Sequence, residues 1–384
     1  MDVSQLLFGV IVSTVLLISS LIIAAFAVLW LSGTGYLGVK VLAAAVLGVL
    51  IFSGVNAFLV KSWTWWKESK IRPLPDKKLF SFVAILYVVT VIFALWYAFA
   101  IVLNKNWAYD KATRGGYELS FSELVADTWS QKKPRLPTPD QVAGEIWKST
   151  GTAAAKKWER TEGDPFLERI SEVLGDKRNL IRHAWLTLSA TMLGFVFGTG
   201  LGILLAVGIV HNRAMDNSVM PWVITSQTIP ILALAPMIIV VLNAVGLSGL
   251  IPKAVISAYL SFFPVVVGMV KGLRSPDSMQ LDQMRTWFAS KAQIFWKLRL
   301  PASVPYLFTS LKIGVAASLV GAIVGELTIS QDGGLGARML QGNYYGATLI
   351  IWAALIVAAA LAAVLVSSVG LAERVTKKRM GFVQ

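Results

Sequence analysis

The chain has 384 residues, of which 56% are hydrophobic and only 15% charged, whereas a soluble domain carries about 25% charged residues. This composition excludes an ordinary soluble enzyme and indicates a polytopic membrane protein of the all-α class, with a net charge of +14 typical of the positive-inside bias. Nucleic-acid binding is the alternative explanation of the positive charge, but the basic residues flank the predicted spans. The chain has no cysteine and only two histidines, which excludes thiolate and histidine-rich metal sites.

Two apolar runs open the chain, Leu6–Leu31 and Val39–Val60. The first is longer than the apolar core of a signal peptide, which is about 7–15 residues, so we interpret it as a retained first span. Both runs, with the basic loop that follows them, form a predicted transmembrane hairpin domain of residues 1–78.

The third predicted span is Leu79–Leu103, and a polar outer-face (periplasmic) segment of residues 104–180 follows it. Within this segment, the run from Lys132 to Pro139 is extended because residues before proline avoid the α region. Thr138 is a candidate cap for the next helix with Pro139 in its first position, and Asp140 is the alternative cap. A solvated structural surface is favoured for the segment over a substrate-contacting role.

Five further spans are predicted in a core domain of residues 181–384. Basic residues in the short loops between spans two and three, between spans six and seven, and after span eight place those loops and both termini on the cytoplasmic side. Gly194, Gly198 and Gly202 recur every four residues, a pattern that permits close helix packing without identifying the partner. The five predicted spans are Trp185–Val210, Val219–Val245, Ala254–Val270, Pro305–Glu326 and Ala347–Leu371.

The fifth span holds polar groups next to prolines, which remove backbone donors and bend helices. Bent membrane helices line cavities or face protein, so this span either lines a translocation path or contains a packing kink, and the sequence leaves both open. The candidate path residues are Ser226, Gln227, Thr228, Pro230, Pro236, Phe263 in the sixth span and Glu326 at the end of the seventh.

Glu326 has two interpretations. An acidic group inside a membrane suggests an ion site. Pro305–Glu326, however, rises about 32 Å at 1.5 Å per residue, which places the carboxylate near the outer surface and favours an interfacial or capping role.

The loop of residues 271–301 contains two apolar helical faces separated by Ala289-Ser290. The first face consists of Leu281, Met284, Trp287 and Phe288, and the second of Ile294, Phe295 and Leu298. This pattern predicts two short helices with a bend. The apolar face either packs on the bundle, leaving the tip for a cytoplasmic partner, or lies on lipid. No P-loop, H-E-x-x-H or G-x-S-x-G motif is present, so neither catalysis nor a cofactor is expected in this chain.

Residues from about 136 to 379 resemble the permease subunit of bacterial binding-protein-dependent ABC importers, and most closely the nitrate/sulfonate/taurine branch. The stretches that carry the resemblance are LPTP (136–139), SQTIPILALAP (226–236), SFFPVVVGMVKGLRS (261–275), LRLPASVPYLFTSLKIG (298–314) and GGLGARML (333–340). The resemblance implies a type I importer core of about six helices in the inner membrane, here with an N-terminal two-helix extension that gives about eight spans.

The same resemblance implies the partners. These are cytoplasmic ABC ATPase subunits that hold the ATP and Mg, a second permease copy or a distinct permease, and a periplasmic or lipid-anchored solute-binding protein. The loop residues implied to couple to the ATPase are Asp282, Met284, Arg285, Thr286, Phe288, Ala289, Ser290, Leu300 and Pro301.

The chain departs from the family's coupling signature at two places. Asp282-Gln283-Met284 stands where Glu-Ala-Ala is expected, and Phe288 stands where a glycine is expected. This departure suggests pairing with a second, different permease. An ion-gradient-driven secondary transporter, which needs charged residues at mid-depth, and a non-transporting membrane scaffold are the alternatives to an importer subunit.

Overall fold

The computed structural model describes residues 77–161, 165, 168, 172, 175, 176, 178–328 and 333–381, and every regular element within them is helical. The chain divides into two compact units, residues 1–141 and 142–384. The predicted spans Leu6–Leu31 and Val39–Val60 lie outside the described residues. The helices are α1 (Lys77–Gly115), α2 (Phe121–Ser130), α3 (Pro139–Trp147), α4 (Ala153–Arg160), α5 (Leu180–His211), α6 (Arg213–Ser226), α7 (Ile231–Ala244), α8 (Leu250–Leu273), α9 (Ser278–Thr286), α10 (Lys291–Ile294), α11 (Leu300–Thr328), α12 (Leu335–Tyr344) and α13 (Thr348–Arg379), with π-helical turns at Lys148–Thr152 and Phe295–Arg299.

Among the described residues, five helical stretches are long and apolar enough to cross a membrane, and the bent pair α6–α7 raises that number to at most six. The stretches are Val88–Gly115, Leu180–His211, Leu250–Leu273, Lys291–Thr328 and Thr348–Arg379. They correspond to the third, fourth, sixth, seventh and eighth predicted spans, so the all-helical polytopic class is confirmed.

Two predicted spans differ from the observed helices. The third, predicted to end at Leu103, continues to Gly115, because the polar residues after Leu103 weaken the hydropathy signal without breaking a helix. The fifth, predicted as one kinked helix, is two helices that meet at 101°. Pro230 is responsible, since it precedes the first residue of α7 and has an extended backbone (φ −63°, ψ 114°).

In the first unit, Asn104 ties the proline-rich loop to α1. Its buried amide accepts hydrogen bonds from the backbone N–H groups of Arg135 (2.8 Å) and Leu136 (3.1 Å) and donates to the Leu136 carbonyl (2.8 Å). Trp96 Nε1 donates to the Pro137 carbonyl at 2.9 Å. These bonds supply backbone partners that an extended proline-rich segment lacks within itself.

Helix α3 begins at Pro139, as predicted, and ends at Trp147. The expected cap position is occupied by Thr138, whose backbone N–H donates to Gln141 Oε1 at 3.2 Å. This contact is one half of a capping box, in which a side chain three residues into the helix returns to the backbone. A π-helical turn then leads into α4, so helical structure continues past Trp147 to Arg160.

The core of the second unit is built by α5, α8 and α11, which pack through small residues. A Cβ added at Gly194 would lie 2.6 Å from the Ala254 carbonyl oxygen, and one at Gly198 would lie 2.7 Å from that of Ala258. The predicted glycine stripe is therefore confirmed as a close-packing surface, and its partner is α8. Gly321 allows α11 to approach α8 equally closely, since a Cβ added at Gly321 would lie 2.7 Å from Ser257 Cα.

Candidate functional site

The loop between α8 and α11 contains two short helices with a bend, as its two apolar faces predicted. Both helices begin with reciprocal capping contacts, because their first orphan N–H groups need acceptors. The Asp277 N–H donates to Gln280 Oε1 (3.2 Å) before α9, and the Ser290 N–H donates to Gln293 Oε1 (2.8 Å) before α10. Neither helix depends on a neighbouring element to define where it starts.

The bend itself is a Schellman turn with Phe288 at the left-handed position. The Phe288 N–H donates to the Arg285 carbonyl (2.9 Å), and the Ala289 N–H donates to the Met284 carbonyl (3.0 Å). Phe288 has φ 53° and is the one non-glycine residue in the described part of the chain with positive φ. Glycine usually fills this position because a Cβ is strained there.

The remaining candidate residues of the bend are mostly exposed. Asp282 and Arg285 pair with each other at 2.9 Å, and the Thr286 hydroxyl donates to the Asp282 carbonyl at 2.9 Å. Met284 and Ala289 are half-buried, whereas Ser290 is exposed. The predicted coupling residues from Asp282 to Ser290 thus lie together at the end of α9 and in the bend, with their charges paired locally, whereas Leu300 and Pro301 lie at the start of α11.

Helix α10 continues into the membrane span without interruption. The π-helical turn Phe295–Arg299 leads directly into α11, and the whole stretch Lys291–Thr328 forms one helical run of 38 residues. Leu300, at the start of α11, packs against a buried cluster that includes Met269 and Leu273, and Phe295 contacts the same cluster. Phe295 of the second apolar face therefore packs on the bundle.

A charge pair and a ring contact also hold the base of this loop. Arg274, just after α8, pairs with Asp216 of α6 at 2.7 Å. The His211 and Phe295 rings meet edge to face with centroids 5.1 Å apart. Displacement of the loop would consequently move α11 and strain its contacts with α5, α6 and α8.

The candidate path residues lie in three separate places. Ser226, Gln227 and Thr228 lie at the break between α6 and α7, where the Thr228 hydroxyl donates to the Thr225 carbonyl at 2.8 Å and Tyr259 donates to the Ser226 carbonyl. The two prolines of the set follow on α7: Pro230 precedes it and Pro236 lies inside it. Gln227 and Thr228 are exposed, as a lining position requires.

Phe263 packs within the apolar cluster of α5 and α8, half-buried, and is not a polar lining group. Glu326 lies near the end of α11 in a buried polar cluster of its own, fully buried. The sequence grouped Phe263 and Glu326 with the residues of the α6–α7 break because of their residue types alone.

The cluster around Glu326 joins four elements. The carboxylate accepts hydrogen bonds from the Thr187 hydroxyl (2.8 Å) and from the Gly336 N–H (2.9 Å). Thr187 in turn accepts from the Leu335 N–H at 2.9 Å, and His183 Nδ1 accepts from the Gly334 N–H at 2.9 Å. The carboxylate and these two side chains satisfy the first N–H groups of α12, which is a helix-capping role.

Lys253 belongs to the same cluster and was missed by the sequence analysis. It is 3% exposed, in the first turn of α8, and its Nζ donates to the Gly333 carbonyl at 3.2 Å. A lysine one residue before a predicted span resembles an interfacial anchor, so hydropathy gave no signal for its burial. Among the described residues, no three His, Asp or Glu side chains converge as metal ligands would.

Comparisons with known proteins agree on one family. Residues 198–381 match the model of the binding-protein-dependent transport system inner membrane component. The chain is 31% identical over 178 residues to a "Probable ABC transporter permease protein" of Haemophilus influenzae, covering 46% of this chain and 71% of the relative. It is 27% identical to the riboflavin transport system permease protein RibX of Chloroflexus aurantiacus, covering 62% and 78%. Among solved structures, the chain is similar to a chain of the inward-facing MetNI methionine ABC transporter, with 21% identity, a TM-score of 0.45 and coverage of 52% of this chain and 95% of that one.

Proposed function

Because the chain belongs to the family of binding-protein-dependent transport system inner membrane components, the permeases of ABC importers, we propose that it couples a separate cytoplasmic ATPase to the uptake of a small solute. The observation that carries this proposal is the exposed α9–α10 bend, continuous through Phe295–Arg299 with the span α11. A force applied to the bend by a soluble partner is transmitted along one helix into the membrane. An ATP-driven transporter requires such a loop, whereas an ion-driven transporter does not.

The loop lies on the cytoplasmic side in this proposal, where its basic residues follow the positive-inside bias. Closure of an ATPase pair displaces the bend, and α11 moves with it. The 101° break between α6 and α7 then changes its exposure from one side of the membrane to the other. Coupling in this sense is a two-state equilibrium of the bundle that a ligand at a distant site biases.

The translocation path runs beside the break at residues 226–230, at the surface that faces a second permease. Gln227 and Thr228 supply neutral hydrogen-bonding groups there, which suits a small organic molecule or an anion delivered by an external binding protein. The name of the relative RibX makes riboflavin a first solute to test. The nitrate/sulfonate/taurine resemblance makes taurine a second.

A flexible hinge between bend and span tests the proposal. Replacing both Leu300 and Pro301 with glycine interrupts the rigid connection, because glycine reaches backbone conformations that leucine and proline, whose φ is fixed, do not. The matched control replaces the exposed pair Tyr344 and Tyr345 with glycine at the far end of α12.

The chain has no native cysteine, so spin labels are introduced at Gln227 and Leu247 in the complex with its ATPase. We expect ATP with vanadate to change the distance between the labels in the unmodified chain and in the control. In the hinge variant the distance stays constant while the ATPase remains bound. An equal change in the hinge variant would contradict coupling through this loop.

A further inference from the structure

The bend between α9 and α10 presents one aromatic side chain at its tip. Phe288 is 96% exposed, and the apolar residue that precedes it in the bend, Trp287, is 67% exposed. Contiguous exposed apolar side chains on a folded protein mark an interaction site. Phe288 itself occupies the position at which the family pattern has a glycine.

Phe288 is unfavourable at this position for the isolated chain on two separate grounds. Its left-handed backbone (φ 53°) is strained for a residue with a Cβ. Its ring also gains no burial, since almost all of it meets solvent. The two Schellman hydrogen bonds, from the Phe288 and Ala289 N–H groups to the Arg285 and Met284 carbonyls, hold the turn in this conformation regardless. A strained residue that the surrounding structure holds in place is typical of a recognition site.

Lipid is the weaker occupant for this surface. A helix that lies on a membrane surface has a basic polar face. The tip itself, residues 281–290, instead contains one acidic and one basic residue, Asp282 and Arg285, which pair at 2.9 Å; the further basic residues of the loop, Lys291, Lys297 and Arg299, follow the bend. A protein pocket that excludes water from an aromatic ring fits the observed pattern better.

We propose that Phe288 is an anchor that enters an apolar pocket on the ATPase subunit and selects an ATPase that has such a pocket. The inference rests on the proposed function, in which the α9–α10 bend meets that subunit. An ATPase shaped for a glycine at this position has no space for the ring and is rejected by steric clash. Selection by size exclusion keeps this permease with its own energy-supplying subunit.

Three substitutions separate the side chain from the backbone. Phe288→Gly removes both the ring and the strain. Phe288→Asn removes the ring and replaces it with a polar group that tolerates a left-handed backbone. Phe288→Met keeps an apolar side chain that adapts to a pocket. Tyr344→Ala removes an exposed aromatic residue elsewhere and serves as the matched control.

The experiment measures the Kd between the purified chain in lipid nanodiscs and the ATPase recovered with it from native membranes. Loss of an anchor raises Kd by about 30-fold, which corresponds to a hot-spot residue. We expect that rise for Phe288→Gly and Phe288→Asn, a rise of a few-fold for Phe288→Met, and none for Tyr344→Ala. The thermal midpoint of Phe288→Gly without ATPase stays equal or rises, because left-handed strain is relieved.

The outcomes distinguish this inference from the proposed function. If Phe288→Gly binds the ATPase with an unchanged Kd, the anchor role of Phe288 is wrong, but the proposed importer function still stands. Failure of the unmodified chain to bind any P-loop ATPase overturns both. A spin label at position 288 that lies within the bilayer in ATPase-free nanodiscs assigns the tip to lipid and also overturns the anchor.

Discussion

Substituting Gly198 with alanine tests how closely α5 and α8 approach each other. The added methyl would lie 2.7 Å from the Ala258 carbonyl oxygen and would also collide with the Ser261 hydroxyl. Backbone cannot move aside as a flexible side chain can, so the two helices must separate. Overpacking of this kind costs about 1–3 kcal/mol.

Gly200 provides the matched control two residues along the same helix. A methyl group there meets nothing within 4 Å. Alanine is favoured over glycine in a helix interior by about 1 kcal/mol, and this gain applies equally at both positions. Subtracting the two effects cancels the helix propensity and leaves only the packing cost, so the free energies of unfolding should differ by about 1–3 kcal/mol.

The assay is a denaturant titration of each variant in mixed micelles, followed by circular dichroism. We expect Gly200→Ala to be more stable than the unmodified protein and Gly198→Ala to be less stable than Gly200→Ala by the amount above. If both variants are stabilised to the same extent, α5 and α8 are not in backbone contact at Gly198, and the close-packed arrangement of the core is wrong.

Three further substitutions probe other contacts. Asn104→Leu removes the side-chain partners of the proline-rich loop's backbone, and each buried group left without a hydrogen bond lowers the free energy of unfolding by about 1–3 kcal/mol. This variant should therefore be cleaved faster by trypsin within residues 132–135. Thr187→Val should lower the thermal midpoint because the Leu335 N–H loses its acceptor, whereas Thr187→Ser, which keeps the hydroxyl, should not. Gly334→Ala places a methyl group against the buried Glu326 carboxylate, at a residue whose φ is 121°, so it should reduce the yield of folded protein. Gly346→Ala also puts alanine at a positive φ but meets nothing within 4 Å, so its effect should be smaller.

The sequence predicted those parts of the molecule that depend on local pattern. Two apolar faces separated by Ala289-Ser290 were enough to place a bend between two short helices. The glycine repeat in α5 was enough to predict close packing, because spacing alone puts the three residues on one side of the helix. Such features need no knowledge of the rest of the chain.

Features that depend on distant contacts were not predictable in the same way. A proline indicates a break, but the 101° angle at Pro230 is set by the packing of α6 and α7 on other helices. Lys253 resembled an interfacial anchor because its acceptor, the Gly333 carbonyl, lies 80 residues away in sequence. The Schellman turn at Phe288 was hidden because glycine is the residue that identifies this motif.

The buried cluster around Glu326 imposes an order on the making of the protein. Its contacts join residues up to 151 positions apart, so α5 and α8 are synthesised long before the turn at residues 333–336 that completes them. The early helices α5 and α8 pack on each other through Gly194 and Gly198, but His183, Thr187 and Lys253 lack these polar partners until the later segment is made. A chain interrupted before residue 336 would therefore keep a buried carboxylate without the Gly336 N–H that it accepts from, and an unpaired buried polar group destabilises a folded bundle.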